Sequence, residues 1–131
     1  MIRLFAAVLL MLGSVPTNAL PPPELPRVVL VGDSIRLGYA PLVAERHRGK
    51  AVIVSPAENG GDSGNVLKNL DDWVLQEKPS LVHLNCGLHD LKLDKRSKQH
   101  QVELAQYEAN LKEIVTRVRA AGIPLVFAST T

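Results

Sequence analysis

Cysteine is almost missing from this chain: Cys86 is the only one in 131 residues. No internal disulfide can form, so stability must come from a hydrophobic core. A charge imbalance is missing too. Fifteen Lys and Arg against thirteen Asp and Glu leave a formal net charge of +2. So nearly neutral a surface gives no electrostatic basis for binding nucleic acid or an anionic membrane. Long hydrophobic runs are also absent. Leu4–Leu12 is nine apolar residues, well short of the ~20 that span a bilayer, and no later segment is longer. Beyond a proline-rich leader there is no repeat and no low-complexity segment.

The short apolar run has another use. Arg3 precedes it as a positive n-region, and Thr17-Asn18-Ala19 supplies small residues where a signal peptidase would cut. Residues 1–19 therefore read as a secretory signal peptide, which predicts a secreted or periplasmic (cell-envelope) protein with no stable membrane insertion after cleavage. Residues 20–26, Leu20-Pro21-Pro22-Pro23-Glu24-Leu25-Pro26, form a stiff extended leader, because proline runs favour polyproline II and lack N–H donors. Residues 27–131 suit one domain.

Strand and helix patterns alternate through that domain. Arg27–Val31 is a continuous apolar run, as in a strand buried on both faces. Ala40–Arg48 reads as a short helix with Pro41 in its first turn and Gly49 as its stop. Ala51–Val54 is a second strand. Asp62 or Ser63 then caps a helix in which Val66, Leu67, Leu70, Trp73 and Val74 recur at helical spacing, with Pro79 ending the unit. Leu81–Leu84 is a third strand. Lys92–Gln99 reads as a solvated loop. A long helix from Val102 to Ala121 would bury Leu104, Tyr107, Leu111, Ile114, Val115 and Val118, and Leu125–Ala128 is a fourth strand. This order predicts a flavodoxin-like three-layer α/β/α sandwich with a parallel sheet.

In such a fold the loops after strands 1, 2 and 3 share one edge of the sheet, where these folds place their chemistry. Those loops are Gly32-Asp33-Ser34, Asn59-Gly60-Gly61-Asp62-Ser63-Gly64 and Asn85-Cys86-Gly87-Leu88-His89-Asp90. Each has a plain structural reading: Ser34 as a helix cap, Gly60-Gly61 as a turn needing positive φ, and His89 as an ordinary loop histidine. Together they gather a hydroxyl, a glycine-rich backbone and an imidazole at one crevice.

Gly32-Asp33-Ser34, Gly61 in its Asn59–Ser63 setting, and Gly87-Leu88-His89-Asp90 resemble the first three sequence blocks of the SGNH/GDSL hydrolases, over about Arg27 to Thr131. The resemblance implies a serine esterase or acyl hydrolase without a cofactor, acting on a small-molecule or polysaccharide ester. Ser34 would be the nucleophile. The oxyanion donors would be the Ser34 N–H, the Gly61 N–H and the residue at position 89. Asp33 would hold the turn around Ser34, and Asp90 would order the loop carrying His89.

The sequence departs from that family in two places. His89 stands where the family usually has asparagine; a neutral imidazole still donates one N–H. The family's Asp-x-x-His, which supplies the general base, has no match, since none of His47, His83, His89 or His100 has an aspartate three residues earlier. The expectation is a truncated SGNH-type domain whose C-terminal strand and helix are missing. A base-less serine is a poor nucleophile, so a non-catalytic flavodoxin-like binding module or inactive remnant is the alternative.

Other chemistries fit worse. His83, Cys86, His89, Asp90 and Asp94 match no zinc spacing, so no metal is expected. Cys86 reads as a packing residue. The glycine-rich loop follows strand 2 and has no P-loop lysine, which disfavours a nucleotide site.

Overall fold

The computed structural model describes residues 23–129. The expected signal peptide and residues 20–22 of the leader lie outside the described residues. In chain order the elements are β1 (Arg27–Gly32), α1 (Ser34–Arg46), β2 (Val52–Val54), α2 (Ser63–Lys68) with a π-helical turn at Asp71–Leu75, β3 (Leu81–Asn85), α3 (Leu104–Ala120) and β4 (Leu125–Phe127).

The four strands form one sheet in the order β2-β1-β3-β4, and every neighbouring pair is parallel. The β1–β3 register sets Val29 beside Val82, Val31 beside Leu84 and Gly32 beside Asn85. Alternation along the strands then divides the sheet into two faces. One face carries Val29, Val31, Val82 and Leu84, which cluster with Val66, Leu70, Val74, Ile114 and Val118 from α2, its π-helical turn and α3. Burying each such side chain contributes about 1.5–3 kcal/mol, and this cluster takes the place of the missing disulfide. On the other face α1 packs against β1 and β2. There Tyr39 meets His83 edge-on, with ring centroids 5.9 Å apart. The predicted flavodoxin-like α/β/α arrangement is the arrangement found.

Two expectations need correction. α1 begins at Ser34, six residues before the expected Ala40, so Pro41 lies inside the helix rather than in its first turn. Gly38 and Pro41 both lower helix propensity. The Asp33 cap and the fully buried Arg36 side chain anchor this first turn all the same. Leu104 is 75% exposed rather than buried. It opens α3 at the rim of a cavity. The rest of the α3 stripe is buried or half-buried, as expected. β4 is an edge strand, with Val126 and Phe127 substantially exposed.

Candidate active site

The first loop leaves the sheet through Gly32, where a Cβ would overlap the Asn85 carbonyl, so no larger residue fits beside β3. Asp33 follows, almost fully buried. Its carboxylate accepts the Ile35 N–H at 2.9 Å and caps α1. Capping is therefore the work of Asp33, and the plain reading of Ser34 as the cap is not what the structure shows. Ser34 is the first helical residue and is exposed. Among the described residues its hydroxyl has no hydrogen-bond partner. The opening N–H groups of a helix have no intrahelical acceptor and carry partial positive charge, so the Ser34 amide sits where an anion is favoured.

The second loop is fastened to the first. Gly60 N–H donates to the Gly32 carbonyl at 2.8 Å, and a Cβ on Gly60 would overlap that carbonyl. Gly61 has a left-handed φ of 61°, which a glycine adopts without cost. Its N–H donates to Asn59 Oδ1 at 2.9 Å. Asp62 caps α2 by accepting the Asn65 N–H at 2.9 Å. Of the two cap candidates it is the one used, and Ser63 is left for another contact.

That contact joins the third loop. The buried Asp90 carboxylate accepts the Ser63 N–H at 3.0 and 3.1 Å, and the Ser63 hydroxyl at 2.5 Å. Asn110 on α3 donates to the same hydroxyl at 2.9 Å. Asp90 thus pins the loop that carries His89 to the start of α2. His89 itself is half-buried, with no hydrogen-bond partner for its ring among the described residues. The three loops meet at the C-terminal ends of β1, β2 and β3, joined through Gly60–Gly32 and Ser63–Asp90.

The remaining histidines are engaged elsewhere. His47 Nδ1 lies 2.9 Å from Val43 O at the end of α1. His83 Nδ1 lies 3.4 Å from the Tyr39 hydroxyl, and His100 Nδ1 lies 3.0 Å from Leu91 O. None hydrogen-bonds to Ser34. His83 faces α1 whereas Cys86 belongs to the opposite core cluster, so these two do not converge on a common ligand. Burial, reinforced by Asp90, Asp33 and Asp62, pushes the Cys86 thiol up to about 12. It stays protonated and unreactive near neutrality. The 92–99 loop is exposed as expected; Asp94 organises it by accepting N–H bonds from Arg96 and Ser97.

Sequence reading passed over Arg36 and Asn110, both of which are buried. Asn110 lies four residues before Ile114 and eight before Val118, on the apolar stripe. An amide there must find polar partners, and that spacing was the available signal. A cavity of about 380 Å³ opens beside the third loop, between Gly87, Leu91, Val102, Tyr107 and Phe127.

A parallel α/β sandwich whose switch-point edge gathers Gly-Asp-Ser, a glycine loop and Gly-x-His-Asp has the architecture of the SGNH/GDSL hydrolases. A scan against protein-family models finds no match, and a search of curated proteins finds none. Solved structures do match. An acetyl xylan esterase aligns at 20% identity over 77% of this chain and 56% of its own, with a TM-score of 0.67. A lipase/acylhydrolase from Enterococcus faecalis aligns at 24% identity over 77% of this chain and 56% of its own, with a TM-score of 0.63. An acetylxylan esterase from Geobacillus stearothermophilus aligns at 16% identity over 78% of this chain and 58% of its own, with a TM-score of 0.64. Two structures of that protein are described as catalytic mutants, one altered at a histidine and the other at an aspartate. The protein therefore has an SGNH/GDSL-like hydrolase fold, and it spans a little over half the length of these relatives.

Proposed function

We propose that this protein is the nucleophile-bearing part of an exported serine esterase or acyl hydrolase. The observation that carries the reading is the division of labour at the end of β1. Asp33 caps α1, which leaves the Ser34 hydroxyl exposed at the sheet edge and, among the described residues, without a hydrogen-bond partner. In this reading Ser34 Oγ attacks the ester carbonyl carbon and forms a tetrahedral oxyanion. The Ser34 and Gly61 N–H groups and the His89 ring donate to that oxyanion, which is stabilised most where donors are preorganised. Collapse expels the alcohol and leaves an acyl-serine, which water then hydrolyses. In this reading a histidine is the base that takes the Ser34 proton and returns it to the leaving alcohol. The histidine and aspartate altered in the catalytic mutants of the Geobacillus esterase support that assignment.

An exported esterase meets polysaccharide and small extracellular esters, and two neighbours are named as acetyl xylan esterases. An acetylated sugar is thus the substrate class this reading favours. Residues 1–19 act as the signal peptide and 27–131 as the hydrolase domain. The test is aryl-acetate hydrolysis by the protein as its host makes it. Activity lost on Ser34→Ala supports the reading; equal activity in Ser34→Ala overturns it.

Two observations favour a non-catalytic binding module instead. The Gly61 N–H is already held by Asn59 Oδ1, and no base reaches Ser34 among the described residues. A serine-directed fluorophosphonate discriminates, because only an activated hydroxyl reacts.

A further inference from the structure

Arg36 lies two residues after Ser34 and has no solvent exposure. Among the described residues its guanidinium makes no ion pair with any carboxylate. Its partners are a hydroxyl and three carbonyls. Nη1 donates to Ser55 Oγ at 2.6 Å and to Pro56 O at 2.5 Å. Nη2 donates to Glu58 O at 2.6 Å and to Gly32 O at 3.2 Å. Three of these four acceptors belong to the stretch between β2 and the Gly60-Gly61 turn. The fourth, Gly32 O, is the atom that also accepts the Gly60 N–H.

A buried cation with no carboxylate in direct contact is costly to keep. Desolvation lowers the Arg36 pKa, while Tyr39, Asp33 and Glu58 act in the opposite direction. The planar fork offsets that cost by satisfying carbonyls in several directions at once, which a lysine cannot do from a single point. One side chain therefore bridges the strand end that leads into Ser34 and the loop that ends in Gly61.

We infer that Arg36 is a positioning residue, whose guanidinium fixes the Ser55–Gly61 loop, and so the Gly61 N–H, relative to Ser34. Its contribution to hydrolysis rests on the proposed esterase reading. Its contribution to loop order does not. Oxyanion donors act through placement, and a displacement of about 1 Å at a reacting centre can cost ~10²-fold in rate.

The experiment is amide hydrogen exchange, paired with steady-state kinetics, on the host-made protein and its Arg36→Lys and Ser55→Ala variants. In Arg36→Lys the hydrogen-bonded Gly60 and Gly61 amides should exchange at least ~10-fold faster while β1 and β3 amides keep wild-type protection, as for local opening. If hydrolysis occurs, kcat should fall ~10–100-fold with KM changed less than ~3-fold, as for a donor displaced in the transition state. Ser55→Ala removes one acceptor and leaves the charge in place, so it serves if Arg36→Lys does not fold; the same loop amides should then exchange a few-fold faster. Wild-type exchange of these amides in Ser55→Ala or in a folded Arg36→Lys overturns the inference. Faster loop exchange in a protein with no hydrolysis keeps Arg36 as the loop's anchor and refutes the esterase reading instead.

Discussion

Asp90 and Ser63, 27 residues apart, share three hydrogen bonds, two from the Ser63 N–H and one from its hydroxyl. This pair couples the loop after β3 to the helix after β2, and Asn110 closes the network from α3. Hydrogen bonds to a buried carboxylate contribute about 1.5–3 kcal/mol each, and unpaired partners carry a further penalty. Asp90→Ala should therefore destabilise the protein by about 3 kcal/mol or more. Ser63→Ala, which keeps the N–H, should cost about 1–2 kcal/mol. Urea unfolding of the two variants checks both the order and the size.

Asp33 and Ser34 should separate cleanly in stability. Loss of an N-cap costs about 0.5–2 kcal/mol, so Asp33→Ala should lower the melting temperature. Ser34 is exposed and, among the described residues, has no hydrogen-bond partner, so Ser34→Ala should change stability by less than ~0.5 kcal/mol. A large loss of stability in Ser34→Ala would mean that the hydroxyl has a structural partner after all.

Adjacent glycines in the second loop should respond differently to alanine. At Gly61 the only cost is a left-handed backbone, about 1–2 kcal/mol, because the space around it is open. At Gly60 the new Cβ would overlap the Gly32 carbonyl and break the Gly60–Gly32 hydrogen bond. Gly60→Ala should be the more damaging variant by thermal melting. Equal stability of the two would contradict the close approach of the loops.

Cys86 predicts a loss of stability in alkali. Its thiol moves from an ordinary 9.0 in the unfolded chain to about 12 in the fold. Between those values the folded state keeps a proton that the unfolded state has released. The contribution is therefore complete below pH 9 and lost as pH rises toward 12. Burial raises Tyr39 and Tyr107 too, so they add to the same slope at higher pH. Cys86→Ala should flatten the stability profile between pH 9 and 11, and denaturant titrations at stepped pH measure it.

Much of this architecture was legible because it rests on local, periodic signals. The apolar run at Val28–Val31, the spacing of Val66, Leu70 and Val74, and the stripe through Ile114 and Val118 each named their own element. Burial of the side chains bears those elements out. The loops Gly32–Ser34, Gly60–Ser63 and Gly87–Asp90 could be placed together because parallel strands force their C-terminal ends to one edge. What the sequence hid was the wiring between segments. Arg36 drew no reading from its local sequence, because it precedes the helix expected at Ala40–Arg48, and only the fold brings Ser55, Pro56 and Glu58 around it. The early start of α1 was hidden for a related reason, since Gly38 and Pro41 argue against a helix that long-range contacts hold. The Asn59–Gly61 contact is local, yet Asn59 has two uses, turn former or ligand contact, and its residue type does not choose between them.

The central claim is that Ser34 is presented as a nucleophile. The most direct measurement treats the host-made protein with a fluorophosphonate and maps the adduct by peptide mass spectrometry. The account predicts a single phosphonylated serine, Ser34, with no adduct in Ser34→Ala. An unmodified Ser34 in correctly folded protein, or an adduct that persists in Ser34→Ala, would contradict it.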